Sequence, residues 1–230
     1  MSATPIPDDA RFELKFAAAE NAYNHLQSWL RLHSEVFVRS YPSRRVNNVY
    51  FDRFEYASYL EGNEGSSSRT KVRYRWYGDS ALPDSGRFEA KVRQNRFGWK
   101  HWYPVDGISS SVASWADVKQ YILSAIPAHA RWWLVEYCCP VVINRYDREY
   151  WVSRNTGIRA TLDLRQSIYD QRYAVAINTW ARTEMPPTVV LELKAPARAE
   201  AAISQLVANL PVSISRNSKY CSAVDALRGF

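Results

Sequence analysis

The chain has 230 residues, 47% hydrophobic and 14% aromatic, enough apolar surface to bury a full core and to exclude global disorder. Thirty Lys and Arg against 23 Asp and Glu leave a net charge of +7, which points to an anionic partner without saying which one. Cys138, Cys139 and Cys221 are odd in number and two are adjacent, so neither a disulfide framework nor a CxxC metal pair is read from them and a reducing cytoplasm is the expected setting. No apolar run approaches the ~18 to 20 residues of a spanning helix, and the N-terminus lacks the pattern of a signal peptide.

In chain order, Met1 to Ala10 reads as a disordered lead-in and residues 11–230 as one domain. Arg11 to Phe16 alternates polar and apolar residues, the period of a half-buried strand. Ala19, Tyr23, Leu26, Leu30 and His33 then recur at helical spacing, which predicts a helix over 18–32. A second helix is predicted from the N-cap Ser114 through Val118, Ile122 and Ile126 to Pro127, and a third from Arg198 to Leu210. The other predicted elements are strands: 35–39, 46–52, 69–77, 87–93, 98–105, 141–151, 158–165, 188–194 and 212–220. Short turn-rich segments such as Gly62 to Ser68 and Gly78 to Gly86 join them as hairpin loops. Many short strands with few helices indicate an antiparallel sheet or barrel of the α+β class.

The polar faces of these strands carry the functional signal. Side chains alternate across a strand, so Arg11, Glu13 and Lys15 share one face while Phe12, Leu14 and Phe16 share the other. Lys71, Arg73 and Arg75 likewise oppose Val72, Tyr74 and Trp76, and Glu89, Lys91 and Arg93 oppose Phe88, Ala90 and Val92. Arg159, Thr161, Asp163 and Arg165 form another such face, as do Glu192 and Lys194. One reading is an ordinary sheet with its charged side in water. The other is a closed sheet whose charged faces converge on a confined polyanion, which would relieve the repulsion among cations at reduced dielectric. Glu13, Glu89 and Glu192 either orient neighbouring cations or supply oxygen ligands to a divalent metal.

Eight segments in order, RFELKF, VYFD, KVRYRWYG, FEAKVR, INRYDREY, RATLD, LELK and SKY, resemble the VTC domain, the vacuolar transporter chaperone polyphosphate polymerase domain of the CYTH-like triphosphate tunnel metalloenzymes. That resemblance implies a closed eight-stranded antiparallel β-barrel with flanking helices, a divalent metal (Mn²⁺ or Mg²⁺), and chemistry on a nucleoside triphosphate, tripolyphosphate or inorganic polyphosphate. It implies that Lys15, Arg73, Arg75, Lys91, Arg145 and Lys219 are the phosphate-binding cations and that Glu192 is the principal metal ligand, with Glu13 beside it. Lys71, Arg93, Arg159 and Lys194 join the substrate-binding set by alternation, and Tyr146 and Asp163 match family positions with packing or salt-bridge roles open to them. The family's eukaryotic polymerases carry a regulatory domain and membrane segments that are not read here, so coupling synthesis to export would need a separate membrane protein partner.

The expected reaction is transfer of the ATP γ-phosphate to a growing phosphate chain. Hydrolysis of the same substrates and non-catalytic sensing are the alternatives. A nucleic-acid module is disfavoured because Tyr74 and Trp76 fall opposite the cations of their strand. Among the histidines only His101, next to Lys100, is kept as a tunnel candidate.

Overall fold

The computed structural model describes residues 11–95, 97–108, 112, 114–196, 200–210, 212 and 218–229; the expected lead-in lies outside them. The chain forms strands β1 (Arg11–Ala19), β2 (Phe37–Asp52), β3 (Ser68–Tyr77), β4 (Gly86–Gln94), β5 (Phe97–Val105), β6 (Cys139–Ser153), β7 (Arg159–Asp170), β8 (Arg182–Thr183) and β9 (Thr188–Pro196). The helices are α1 (Tyr23–Leu32), α2 (Ala57–Asn63), α3 (Trp115–Ala125), α4 (Ala128–Glu136), α5 (Glu200–Leu206) and α6 (Lys219–Arg228). This is the expected α+β class. None of the described helices is long and apolar enough to cross a membrane.

The expected eight-stranded closed barrel is corrected. Hydrogen-bonded order runs β1-β9-β7-β6-β2-β3-β4-β5, an open path of eight strands ending on β1 and β5; the two-residue β8 pairs with β7 off that path and makes nine strands among the described residues. The composition of β5 suits an edge: Pro104 has no N–H to give a further neighbour. The chain divides into two compact units, the first made of residues 1–44, 147–165 and 186–217, the second of 45–146, 166–185 and 218–230.

In the first unit the apolar faces of β1, β7 and β9, including Phe16, Leu162, Leu191 and Leu193, pack on Leu26 and Leu30 of α1 and on Ile203 and Leu206 of α5. The helical period begins only at Glu20, because β1 continues to Ala19 in register with Thr188 of β9. Residues 37–39 of the first predicted segment and all of 46–52 belong to one strand, β2. It passes through Pro42 in an exposed stretch, where the missing N–H costs no buried ladder bond.

In the second unit Val49, Val72, Tyr74, Trp76, Phe88 and Ala90 are wholly or almost wholly buried against Trp115, Val118 and Ile122 of α3 and Ala130 and Leu134 of α4. Each large apolar side chain so buried contributes roughly 1.5–3 kcal/mol. The Tyr74 hydroxyl donates to the Asp84 carbonyl, and Trp76 Nε1 donates to Ser80 O at 3.0 Å, so the polar tips of both rings are satisfied by the β3–β4 loop. A Cβ at Gly86 would collide with the Arg75 carbonyl, which reserves that position for glycine. Ser114 caps α3 as expected, its Oγ accepting from Asp117 N at 3.2 Å. Pro127 separates α3 from α4, a helix that the proline had hidden.

Two further expectations change here. Part of the Gly62 to Ser68 loop is the end of α2, and the predicted strand over 212–220 ends in α6: Ser218 Oγ accepts from Cys221 N at 3.3 Å as the N-cap. The remainder of that predicted strand lies largely outside the described residues.

Asp52 is the joint of this unit. Its fully buried carboxylate accepts from the backbone N–H groups of Arg53 (2.7 Å), Ser58 (2.9 Å) and Tyr59 (3.2 Å), and from the Tyr220 hydroxyl of α6 (2.6 Å). Burial, then the Asp52 charge, holds the Tyr220 phenol far above its ordinary pKa, so it stays a donor. Tyr220→Phe removes one hydrogen bond to a buried charge and should lower stability by about 2 kcal/mol in urea unfolding.

Candidate functional site

The second unit holds a cation cluster built by strand register. Arg73 of β3 lies opposite Glu89 of β4, Lys71 opposite Lys91, and Arg75 opposite Arg87; across β4, Glu89 lies opposite Trp102 and Lys91 opposite Lys100 of β5. Directly opposed residues share a face. The back of that face is the buried Val72, Tyr74 and Trp76 row, so Lys71, Arg73 and Arg75 are forced to the other side.

Glu89, only 2% exposed, is the centre. Its Oε2 accepts from Arg73 Nε at 2.7 Å and lies 2.6 Å from Arg73 Nη2, while its Oε1 accepts from Lys100 Nζ. Burial by itself would raise the Glu89 pKa, but the Arg73, Arg75 and Lys100 charges overcome it and hold the carboxyl far below its usual range. For Lys100 the balance goes the other way. Burial lowers it, Glu89 opposes, and Arg73 and Arg75 reinforce the burial, pulling the ammonium down to about 8. The two directions agree physically: Glu89 faces several cations, whereas Lys100 faces one carboxylate and two like charges.

Around this centre, Arg75 Nε donates to Asn48 Oδ1 at 2.7 Å and its Nη2 to the Tyr146 hydroxyl at 3.2 Å. Lys219, at the start of α6, places its Nζ 4.9 Å from the Tyr146 ring centroid. Arg73 Nη1 donates to the Tyr50 hydroxyl at 3.5 Å, and the Tyr50 ring stacks on Tyr220 at 5.1 Å. Burial would raise the Tyr50 pKa, yet Arg73, Arg75 and Lys219 lower it; the local field favours an anion. Lys71 donates to Ser218 Oγ at 2.7 Å and contacts Cys221 Sγ at 3.7 Å, which ties β3 to the start of α6.

The structure therefore brings together Arg73, Arg75 and Lys219, with Lys71 on Ser218 and Lys91 in register between Lys71 and Lys100. Two expected residues stand apart. Arg145 alternates with Tyr146 along β6 and falls on the opposite face, donating to Asn47 Oδ1 at 2.8 Å and to Asp79 O at 3.2 Å. Arg93 is exposed near the end of β4 and donates to Asn95 O at 3.1 Å. His101 is also corrected: it pairs with Ala90, on the apolar face, 6.1 Å from the Trp133 ring.

Sequence reasoning missed Lys100, Tyr50 and Asn144. Lys100 was legible as the residue two positions before Trp102 on a charged face. Asn144 had no signal, because only folding shows its side chain fully buried with neither Nδ2 nor Oδ1 partnered among the described residues. By alternation it shares the Tyr146 face.

The first unit holds an acidic centre. Glu192, 7% exposed, lies 3.6 Å from Lys15, 3.3 Å from Lys194 and 3.7 Å from Arg148. Lys15 also lies 2.9 Å from Glu13, so one ammonium joins both carboxylates. Burial would raise the Glu192 pKa; Lys194, a hydrogen bond with Glu13, Lys15 and Arg148 together hold it well below the ordinary value. Arg148, absent from the predicted set, grips Asp163 with two parallel bonds of 2.6 and 2.7 Å, which gives Asp163 a salt-bridge role. Arg159 is exposed on β7 opposite Lys194.

The VTC domain model matches residues 10–228. The chain belongs to that family. Among solved structures, this VTC domain is similar to a putative adenylyl cyclase from Hippeastrum with a dominant triphosphatase activity (TM-score 0.54, 14% identity, 96% of each chain covered). It is also similar to the PH1819 protein of Pyrococcus horikoshii OT3 (TM-score 0.51, 12% identity, 96% of this chain and 100% of that one). At these identities the likeness is one of fold. No curated protein matches this chain by sequence.

Glu89→Gln should lower stability by about 2 kcal/mol at pH 7, less than for a fully buried pair because Arg73 and Lys100 keep some contact with water. Because the folded pKa of Glu89 is depressed, its contribution is complete above about pH 5 and drains as pH falls below the ordinary carboxylate value of about 4.3. The wild-type and variant stabilities measured by urea unfolding should converge in acid.

Proposed function

We propose that this VTC domain performs metal-dependent phosphoryl transfer on a nucleoside triphosphate or inorganic polyphosphate, moving the ATP γ-phosphate onto a growing phosphate chain. The observation that carries this reading is the cluster in which Arg73, Arg75 and Lys100 surround the single carboxylate of Glu89, leaving net positive charge on a partly desolvated face. Phosphoryl transfer needs positioning and charge neutralisation more than covalent chemistry from the protein. The planar guanidinium groups of Arg73 and Arg75 suit bidentate contact with phosphate oxygens, while Lys100, Lys91 and Lys219 act as point charges. The Asn144 amide, unpartnered among the described residues, would supply a neutral donor for a phosphate oxygen. Lys71, held by Ser218, serves in this reading to position α6 and with it Lys219.

The family resemblance implies Mg²⁺ or Mn²⁺. Among the described residues no three His, Cys, Asp or Glu side chains converge as a metal cluster; the carboxylates expected to hold the ion are those of Glu192 and Glu13. That donor set fits a hard cation that keeps water and phosphate oxygens in its shell, and Lys15 between the two carboxylates shows that a positive charge is accommodated there. Such a metal, when bound, would neutralise charge on phosphate oxygens beside Lys15, Lys194 and Arg148 of the same unit. Lys194 and Arg148 would keep Glu192 ionised, and Arg159 beside Lys194 would add positive charge at the edge.

Hydrolysis is the second reading, favoured by the triphosphatase activity of the Hippeastrum protein that shares the fold. Product length separates the two. Incubated with ATP and Mn²⁺, the purified chain should yield phosphate chains longer than triphosphate on gels, and Arg75→Ala should slow their formation about 100-fold. Orthophosphate as the sole product would overturn the polymerase reading in favour of hydrolysis. Glu192→Gln should abolish the reaction while tripolyphosphate still binds in metal-free buffer.

The Lys100 ammonium gives a pH signature. Tripolyphosphate affinity should hold up to about pH 8 and fall above it, where binding must take up a proton to recharge Lys100. Lys100→Arg, which stays charged, should flatten that decline in calorimetric titrations.

A further inference from the structure

We propose that Trp102 is a stacking platform for the base of a nucleoside triphosphate whose phosphates lie on the cation cluster; this assignment rests on the phosphate-binding reading above. Register decides the face. Lys100 and Trp102 of β5 oppose Lys91 and Glu89, whereas Trp99, His101 and Tyr103 oppose Val92, Ala90 and Phe88 of the apolar face. Trp102 is therefore an aromatic ring among charges, 51% exposed, on a face whose tyrosines Tyr50, Tyr146 and Tyr220 are all buried. Trp132 belongs to α4 and Trp180 to the 171–181 connection, so neither shares this strand face.

Position supports a nucleotide in particular. Trp102, Glu89 and Arg73 lie in one row across three strands, which at strand spacing puts the ring roughly 10 Å from Arg73. A ribose and an α-phosphate fit between a base on the ring and terminal phosphates at Arg73 and Arg75. The Arg87 guanidinium lies 5.1 Å from the Trp102 ring centroid, which orients the ring before any ligand arrives and adds a cation near the α-phosphate. Stacking tolerates any base, because every base has a π-face. An inorganic phosphate chain has none, so Trp102 would distinguish nucleoside triphosphate from tripolyphosphate at the same cations.

The test is calorimetric titration of the whole chain, wild type and variant, with ATP and with inorganic tripolyphosphate at fixed Mg²⁺ and salt. Trp102→Ala should weaken ATP by about 5- to 100-fold, the range expected for one stacked base, and leave tripolyphosphate unchanged. Trp102→Phe should restore most of the ATP affinity. Equal loss of both ligands would make Trp102 a structural residue and overturn the proposal, as would unchanged ATP affinity in Trp102→Ala. Failure of wild type to bind tripolyphosphate at all would instead overturn the phosphate-binding reading. A single-stranded oligonucleotide that binds more tightly than ATP through Trp102 would replace the nucleotide assignment with a nucleic-acid surface.

Discussion

Cations gathered on one sheet face repel one another, and the repulsion grows as water is removed. Arg73, Arg75 and Lys100 can stand together because the Glu89 carboxylate lies among them, itself kept ionised by their charge. One carboxylate does not cancel three cations. What remains is a positive field strong enough to lower the pKa of a buried tyrosine, Tyr50, against the effect of its burial. The same compromise recurs in the first unit, where Glu192 gathers Lys15, Lys194 and Arg148. A buried ion pair with excess charge of one sign is weak evidence for stability and better evidence for a ligand of the other sign.

The reverse side of the sheet makes that concentration of charge affordable. Val72, Tyr74, Trp76, Phe88 and Ala90 pack on α3 and α4, and the alternation of the strands carries their fixed orientation directly to Arg73, Arg75 and Glu89. A one-residue slip of β3 against β4 would exchange core and cluster, so burial of the tryptophan and tyrosine specifies the register that pairs Arg73 with Glu89. Asp52 performs a related task at the end of β2, where its hydrogen bonds join α2 and α6 and so set the position from which Lys219 reaches Tyr146.

Particular residues show why parts of this were legible in the sequence. Period-2 alternation needs only local information, so the face shared by Lys71, Arg73 and Arg75 and the burial opposite it could be read directly. The helix of α3 was visible because its cap, Ser114, and its stripe are local too. Prolines show the limit of local reading: Pro42 sits inside the single strand β2, and Pro127 separates α3 from the unpredicted α4, because a proline's consequence depends on whether its missing N–H faces a partner. The segment ending at Tyr220 looked like a strand from its alternation, yet Ser218 starts a helix whose apolar stripe faces Tyr50 and Val142. Arg145 stands in a family motif, and its place on the face of β6 opposite Tyr146, bonded to Asn47 and Asp79, is set by the fold.

The sequence by itself determined the α+β class, the charged and apolar faces of the strands, the chemistry of the anion they suit and the family motifs that agree with it. These depend on composition and near-neighbour spacing. Tertiary structure alone decided that the path of strands is open, that Lys100 joins Arg73 at Glu89, that Asn144 is buried without a partner among the described residues, and that Trp102 rather than His101 shares the cation face. Each of these turns on which strand pairs with which and in what register, a relation between residues far apart in the chain that the long-range packing of Trp76, Tyr74 and Phe88 resolves.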